Sequence, residues 1–318
     1  TRDQNKCILC GDCVRMCNEI QNVGAIDFAH RGSKMTISTV FDIPIAESNC
    51  VGCGQCAAVC PTGAILLKND TKFVWQALDD KECRVSVQIA PAVRVALGQE
   101  FGLKDGENSM GRIVAALRRM GFNEIFDTST GADLTVLEES TEFLEYLNSG
   151  DRMMPLFTSC CPAWINYCQK NAPEMLAHVS SCRSPMQMFA SVIKEHHKMS
   201  PRRHVHVAVM PCTAKKYEAA RDEFKTEGMP NVDYVITTQE MVQMIKESGI
   251  VFTELEPEAL DMPFSTMSGA GVIFGVTGGV TEAVLRRIVS DKSPAAVQTI
   301  AFKGVRGMDG LKEASLKY

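Results

Sequence analysis

Short apolar runs and amphipathic stretches alternate along this chain from about residue 84 onward. RVSVQIAP, NEIFD, MPLFTSC, VHVAVMPC and VDYVITT are brief and rich in β-branched side chains, which predicts buried strands. Between them, GRIVAALRRMG repeats apolar residues at Ile113, Val114, Leu117 and Met120, the spacing of one helix face. LTVLEESTEFLEYLNSG does likewise with Leu137, Phe143 and Leu144, and closes on a glycine suited to a helix C-cap. QEMVQMIKESG and TEAVLRRIVS predict two further helices. Strands alternating with helices imply an α/β fold of mainly parallel sheets flanked by helices. The first sixty residues lack that alternation and carry glycine- and cysteine-rich turns instead. The expected organisation is therefore a small α+β domain over residues 1–75 and a larger domain over residues 76–318.

Composition narrows the classes of function. With 318 residues, 45% of them hydrophobic, the chain is long enough for two or three cores. Its 33 basic and 38 acidic residues give a formal charge of -5, so no broad basic surface is offered to nucleic acid or to an anionic membrane. No apolar run reaches about eighteen residues, and no charged n-region precedes an apolar h-region, so neither a membrane span nor a signal peptide is expected. A first residue of Thr1 rather than methionine suggests processing or excision from something longer. The expected location is an anaerobic cytoplasm.

Fourteen cysteines without a secretory signal point to metal or redox chemistry rather than a disulfide scaffold. CILCGDCVRMC and CVGCGQCAAVCP each read C-x2-C-x2-C-x3-C, and the second runs into Pro61. This is the spacing of bacterial two-cluster ferredoxins, in which the fourth cysteine of each run ligates the other cluster. Cys7, Cys10, Cys13 and Cys60 are thus assigned to one [4Fe-4S] cluster, and Cys50, Cys53, Cys56 and Cys17 to the second. Gly11, Gly52 and Gly54 allow the backbone to close around them. A pair of zinc sites would leave the duplicated third spacing and the terminal Cys-Pro without a reason.

The remaining cysteines cluster in meaning rather than in number. Cys160 and Cys161, adjacent in FTSCCPAW, follow one predicted strand, and Cys212 follows another. In open α/β sheets ligands bind outside the carboxyl ends of strands, so two distant motifs are aimed at one crevice and a shared metal site is expected there. Neighbouring thiols strain a disulfide, so one is expected to bind metal while the other does something else.

These residues resemble the signatures of the [FeFe]-hydrogenases. TSCCPAW at 158–164 is similar to the family's usual TSCCPGW, MPCTAKKYE at 210–218 fits MPCxxKxxE, and GVIFGVTGGVTEAVLR at 272–287 is similar to its glycine-rich turn and helix. The resemblance implies an H-cluster, a [4Fe-4S] cubane joined through a cysteine sulfur to a di-iron subsite bearing CO, CN- and a bridging dithiolate. By the same resemblance Cys161 and Cys212 are cubane ligands, and Cys160 stays unligated to shuttle protons. Glu139 and Glu142 then match the two relay glutamates, and Ser180 matches the serine between the cysteine and that relay. Lys215 would donate to a cyanide, with Glu218 as its partner, and Met210 would pack near the di-iron bridge. Pro91, Ser184 and Phe274 would line the cofactor pocket. The implied reaction is reversible reduction of protons to H2. The implied partners are ferredoxin or another low-potential electron carrier, and the maturation proteins that build the subsite.

Several residues depart from the family pattern. Tyr146 stands where arginine is frequent at the outer end of the relay, Ala163 replaces a glycine, and Ala92 replaces a cyanide-bonding serine. A third family signature, with the sense ExMACxxGC, supplies two more cubane ligands, yet no cysteine follows Cys212. Three explanations are open: a segment of a longer enzyme, a separate polypeptide that completes the site, or a degenerate member. Intact Cys160, Lys215 and Glu218 argue against degeneration, and the first explanation is favoured because Thr1 suggests that the other end is cut as well. A non-catalytic relative, serving iron-sulfur assembly or hydrogen sensing, is the alternative function. Cys83, Cys168 and Cys182 match no ligand position and are expected to be free thiols. The histidines of EHHKMSPRRHVH, namely His196, His197, His204 and His206, are expected on a solvated basic surface rather than in a metal site.

Overall fold

A computed structural model of the chain describes residues 2–149, 155–262, 264, 266–275, 278–289, 303–304 and 312–314. The N-terminal segment carries two short helices, α1 (Asp12–Arg15) and α2 (Gln55–Ala58), each entered through a left-handed glycine, Gly11 or Gly54. Between them lies a hairpin of β1 (Asp27–Ala29) and β2 (Thr36–Ser38). Each short helix thus begins within a cysteine motif, at the point where the chain must turn sharply.

The larger part is built on four parallel strands, β3 (Cys83–Ile89), β4 (Glu124–Asp127), β5 (Arg203–Met210) and, after a small hairpin of β6 (Lys225–Thr226) and β7 (Met229–Pro230), β8 (Tyr234–Thr237). Their order across the sheet is β4-β3-β5-β8. The helices around it are α3 (Thr71–Asp79), α4 (Val93–Ala96), α5 (Met110–Met120), α6 (Ser129–Asn148), α7 (Pro162–Asn171), α8 (Pro185–His196), α9 (Ala214–Ala219), α10 (Thr238–Glu247), α11 (Gly269–Ile273) and α12 (Gly279–Ile288). This is the α/β architecture that the alternating pattern predicts. On one face of the sheet Val85, Val87 and Ile89 join Ile113, Val114 and Leu117 of α5 in a continuous core. Local rules place the helix starts: Thr237 and Glu240 close a capping box at α10, and Pro162 and Pro185 open α7 and α8.

Two expectations are corrected. MPLFTSC forms no strand among the described residues. Phe157 makes one parallel bridge, to Val179, and Cys160 and Cys161 sit in a connecting loop that runs into α7. A single bridge is all that the loop offers, because its partner is also irregular. The inward face of α6 also differs from the one the apolar spacing selects. Leu137 and Leu144 are exposed, whereas Gly131, Ala132, Thr135, Val136, Glu139 and Ser140 are buried. Small residues face inward because α6 packs backbone-close against α8.

That closeness is testable at Gly131. A Cβ there would lie 2.3 Å from the carbonyl oxygen of Pro185 and 2.8 Å from Cβ of Phe189. Alanine is the better helix former by about 1 kcal/mol, yet overpacking against a backbone atom costs about 1–3 kcal/mol. Gly131→Ala should lower the chemical denaturation midpoint. A midpoint at or above that of the wild type would contradict the packing.

Candidate functional site

The eight N-terminal thiols fall into two groups that cross between the motifs. Cys7, Cys10, Cys13 and Cys60 line one small cavity, together with Gly11 and Ala64. Cys50, Cys53 and Cys17 gather around Val23, Ala25 and Val51, and Cys56 lies close enough to all three that their charges act on its thiol. Burial first, and then Cys50, Cys53 and Cys17, push Cys56 up to about 11. Backbone N–H groups already point at several sulfurs: Ala25 donates to Cys17 Sγ at 3.3 Å, Gly52 to Cys50 Sγ at 3.4 Å, and Ala64 to Cys60 Sγ at 3.3 Å. Four thiols lining one cavity in the first group, and four within electrostatic reach of one another in the second, each with backbone N–H groups toward sulfur, are a donor set that fits an iron-sulfur cluster.

The second group sits directly against the larger domain. Lys170, in the last turn of α7, donates to the carbonyls of Ser48 at 2.7 Å and Cys50 at 2.8 Å. Thr213, next to Cys212, donates to the carbonyl of Gly52 at 3.2 Å. Gly54 meets the same threonine: a Cβ on it would lie 2.4 Å from Thr213 Oγ1, and its φ of +76° is one that side chains resist. The loop that gathers the second group is therefore seated on the residues that carry Cys161 and Cys212.

At that seam two cavities share one wall. The larger, about 320 Å³, is lined by Cys160, Cys161, Ser180, Cys182, Ser184 and Glu218 among others. The smaller, about 150 Å³, is strongly apolar and is lined by Pro91, Ala92, Cys160, Met210, Lys215 and Phe274, with Thr128, Pro185 and Met186. Cys160 borders both. The protein around it raises its thiol, an effect that the Lys215 ammonium opposes. Cys212 is likewise raised, chiefly by burial and then by Cys161, which places those two sulfurs within electrostatic reach of each other. Lys215 is buried and donates to the carbonyl of Cys160 at 2.8 Å and to Glu218 Oε2 at 2.6 Å. An ammonium has three donors, so one remains for the cavity. Ser184 Oγ is buried without a partner, a polar atom that a group in the larger cavity would satisfy. These features fit a bound cubane with an apolar pocket beside it.

The acidic pair is also placed, though not as one chain. Glu142 accepts from the Ser180 hydroxyl, and from the Ser181 N–H and hydroxyl at 2.8 Å each. Although burial works the other way, those donors hold Glu142 below the usual carboxylate range. Glu139 is buried, and its Oε2 has no partner. Burial, and then the charge of Glu142, push Glu139 up to about 7. Ser180 thus reaches Glu142 and not Glu139. The hydroxyl of Tyr146 is buried and has no hydrogen-bond partner among the described residues.

The free thiols divide by surroundings. Cys83 accepts from Arg203 Nη2 at 2.9 Å, and Cys168 is buried in α7. Cys182 lies beside Glu142, where burial and then the two carboxylates push it up to about 12. Sequence reasoning missed Thr128, Pro185 and Met186 on the crevice wall; the Ser-Pro at 184–185 was the available signal, since it starts α8 there. The expectation of a solvated histidine surface is overturned for three of the four. His197 and His206 are buried and His204 is half-buried, because β5 turns alternate residues under α8. His196 alone is exposed.

Known proteins resemble both parts of the chain. Residues 83–318 match the family model described as "Iron only hydrogenase large subunit, C-terminal domain", and residues 6–64 match a "4Fe-4S dicluster domain". The chain is 42% identical over 328 residues to an NADP-reducing hydrogenase subunit of Solidesulfovibrio fructosivorans, covering 99% of this chain and 56% of that protein. It is 39% identical over 322 residues to iron hydrogenase 1 of Clostridium pasteurianum, covering 100% of this chain and 56% of that protein. A bovine cytosolic iron-sulfur assembly component is 28% identical over 292 residues, covering 86% of this chain and 61% of its own length. A solved [FeFe]-hydrogenase of Chlamydomonas reinhardtii superposes with a TM-score of 0.64 at 38% identity, over 77% of this chain and 63% of that one. The chain spans little more than half the length of the first two of these relatives.

Glu139 offers a direct test of the electrostatics. Because its folded-state value of about 7 lies above the ordinary 4.5, the folded chain holds this proton more tightly, and the group's contribution to stability declines as pH rises through that window. Infrared titration should show a protonated carboxyl band that disappears with a midpoint near pH 7 and is absent from Glu139→Gln. A midpoint near the ordinary value, or a band that survives the substitution, would contradict the burial.

Proposed function

We propose, for a chain that belongs to the iron-only hydrogenase family, that it carries the electron relay and much of the active-site wall of an enzyme catalysing 2H+ + 2e- to H2 in both directions. The observation that carries the reading is Cys160: an unpaired thiol on the wall between a thiol-lined cavity and an apolar pocket, with the Lys215–Glu218 pair fixing its backbone. Cys161 and Cys212 would hold a cubane in the larger cavity, and the smaller pocket would take a di-iron subsite; further cubane ligands would come from residues outside this sequence. When bound, this H-cluster supplies the reversible two-electron chemistry of hydrogen.

The residues of the chain serve that chemistry in three ways. Cys7, Cys10, Cys13 and Cys60 would hold the outer relay cluster, and Cys50, Cys53, Cys56 and Cys17 the inner one, with a ferredoxin or another low-potential carrier as electron partner. Lys215 presents its remaining N–H to the apolar pocket, where little water competes for it, and Met210, Pro91 and Phe274 keep that pocket dry. Cys160 Sγ would hold and release the proton at the pocket. Glu139, poised near pH 7 by burial, suits a proton carrier between Cys160 and the Ser180–Glu142 pair. The dithiolate-bearing subsite would be delivered by maturation proteins. The iron-sulfur assembly relatives keep a second reading open, and the joint placement of Cys160, Lys215 and Glu218 favours hydrogen chemistry over it.

The test uses the cluster-loaded chain joined to the C-terminal residues that its hydrogenase relatives carry, with the di-iron subsite supplied. Cys160→Ala should keep its iron content and lose about 10²- to 10⁴-fold in hydrogen turnover, the range for loss of a positioned acid-base group. Cys161→Ala should lose iron. Equal iron loss in both variants, or full turnover in Cys160→Ala, would contradict the roles.

A further inference from the structure

At the end of the sheet opposite the crevice, the amino ends of β3, β4 and β5 bring a second set of metal-binding side chains together. Glu124 opens β4, His204 lies near the start of β5, and His197 caps α8 where it crosses over them. One ligand atom from each lies within 4.8 Å of the other two. We propose that Glu124, His197 and His204 form a divalent transition-metal site of the zinc class, separate from the iron-sulfur centres.

The atoms are prepared for an ion. His204 Nδ1 is buried with no partner, a state that costs free energy unless something fills it. His197 Nε2 lies 2.8 Å from Glu124 Oε2 without the alignment of a hydrogen bond. The two rings stack 4.2 Å apart between centroids. Two imidazoles and one carboxylate are a donor set for zinc, cobalt or nickel, with water in the fourth position.

Each ligand is also braced from behind, as metal-bound histidines and carboxylates commonly are. Arg84 Nη2 donates to Glu124 Oε1 at 2.8 Å, which leaves Oε2 toward the histidines. Its positive charge opposes an ion, and the carboxylate between them offsets it. Ser86 Oγ lies 2.8 Å from His204 Nε2 and 2.7 Å from His206 Nδ1. His204 presents Nδ1 to a metal when its Nε2 carries the ring proton and donates to Ser86 Oγ. The same serine oxygen accepts from His206 Nδ1, whose Nε2 accepts from the Gln88 amide N–H at 2.9 Å, an amide that also donates to the Met186 carbonyl.

Zinc itself is the probe, added at one equivalent to the chain whose N-terminal thiols are occupied by clusters. Zinc-edge X-ray absorption should show only nitrogen and oxygen ligands at about 2.0–2.2 Å, with the outer scattering of imidazole. His197→Ala and the size-conserving Glu124→Gln should each weaken binding by more than about 100-fold, and Ser86→Ala by about 10- to 100-fold, with iron content unchanged. Sulfur ligands at about 2.3 Å, no binding tighter than millimolar, or unchanged affinity in both ligand variants would overturn the proposal.

Discussion

One helix, α7, ties the thiol group of Cys17, Cys50 and Cys53 to Cys161. Cys161 stands at its N-cap and Lys170 in its last turn, where the ammonium grips the carbonyls of Ser48 and Cys50. Ala163 and Tyr167 on the same helix pack against the core that surrounds Cys17, Cys50 and Cys53. A charge-assisted hydrogen bond of this kind is worth about 1.5–3 kcal/mol, and its two acceptors fix the loop's position as well as its affinity. Because Cys161 and the inner thiol group hang from one rigid element, their separation is set by helix geometry rather than by a flexible linker.

The crevice depends on a second buried charge arrangement. Lys215 and Glu218 lie one turn apart on α9, and removal of either would leave a buried charge without its partner. The pair is weak evidence for stability but strong for placement, since the ammonium also holds the carbonyl of Cys160. Cys160 is thus oriented by a lysine fifty-five positions away, and the apolar pocket beside it is lined from β5, α8 and the turn at Phe274.

The spacing of thiols made the two four-thiol groups legible before any coordinates, because eight local residues at two repeated intervals leave few geometries. The four-stranded sheet was legible for the same kind of reason: β3, β5 and β8 are short apolar runs with clear ends. The loop before Cys160 was misread as a strand, since a run such as PLFT looks the same whether or not a neighbouring chain pairs with it. The face of α6 was misread because apolar spacing picks large residues, whereas close helix contact with α8 selects Gly131 and Ala132. The polar seam under α8 left a signal that was not used. Arg84, Ser86 and Gln88 on β3, and His204 and His206 on β5, alternate with valines, whereas a parallel sheet covered on both faces usually reads as continuous apolar residues.

The central claim is that the paired cavities around Cys160 accept a di-iron subsite beside a cubane. Infrared spectroscopy tests it most directly, on the cluster-loaded chain combined with the C-terminal residues of its relatives and a di-iron complex carrying CO and CN-. The account predicts narrow CO and CN- bands displaced from those of the free complex, since Lys215 and the apolar wall would fix and polarise the ligands. A spectrum containing only the bands of the free complex would contradict it.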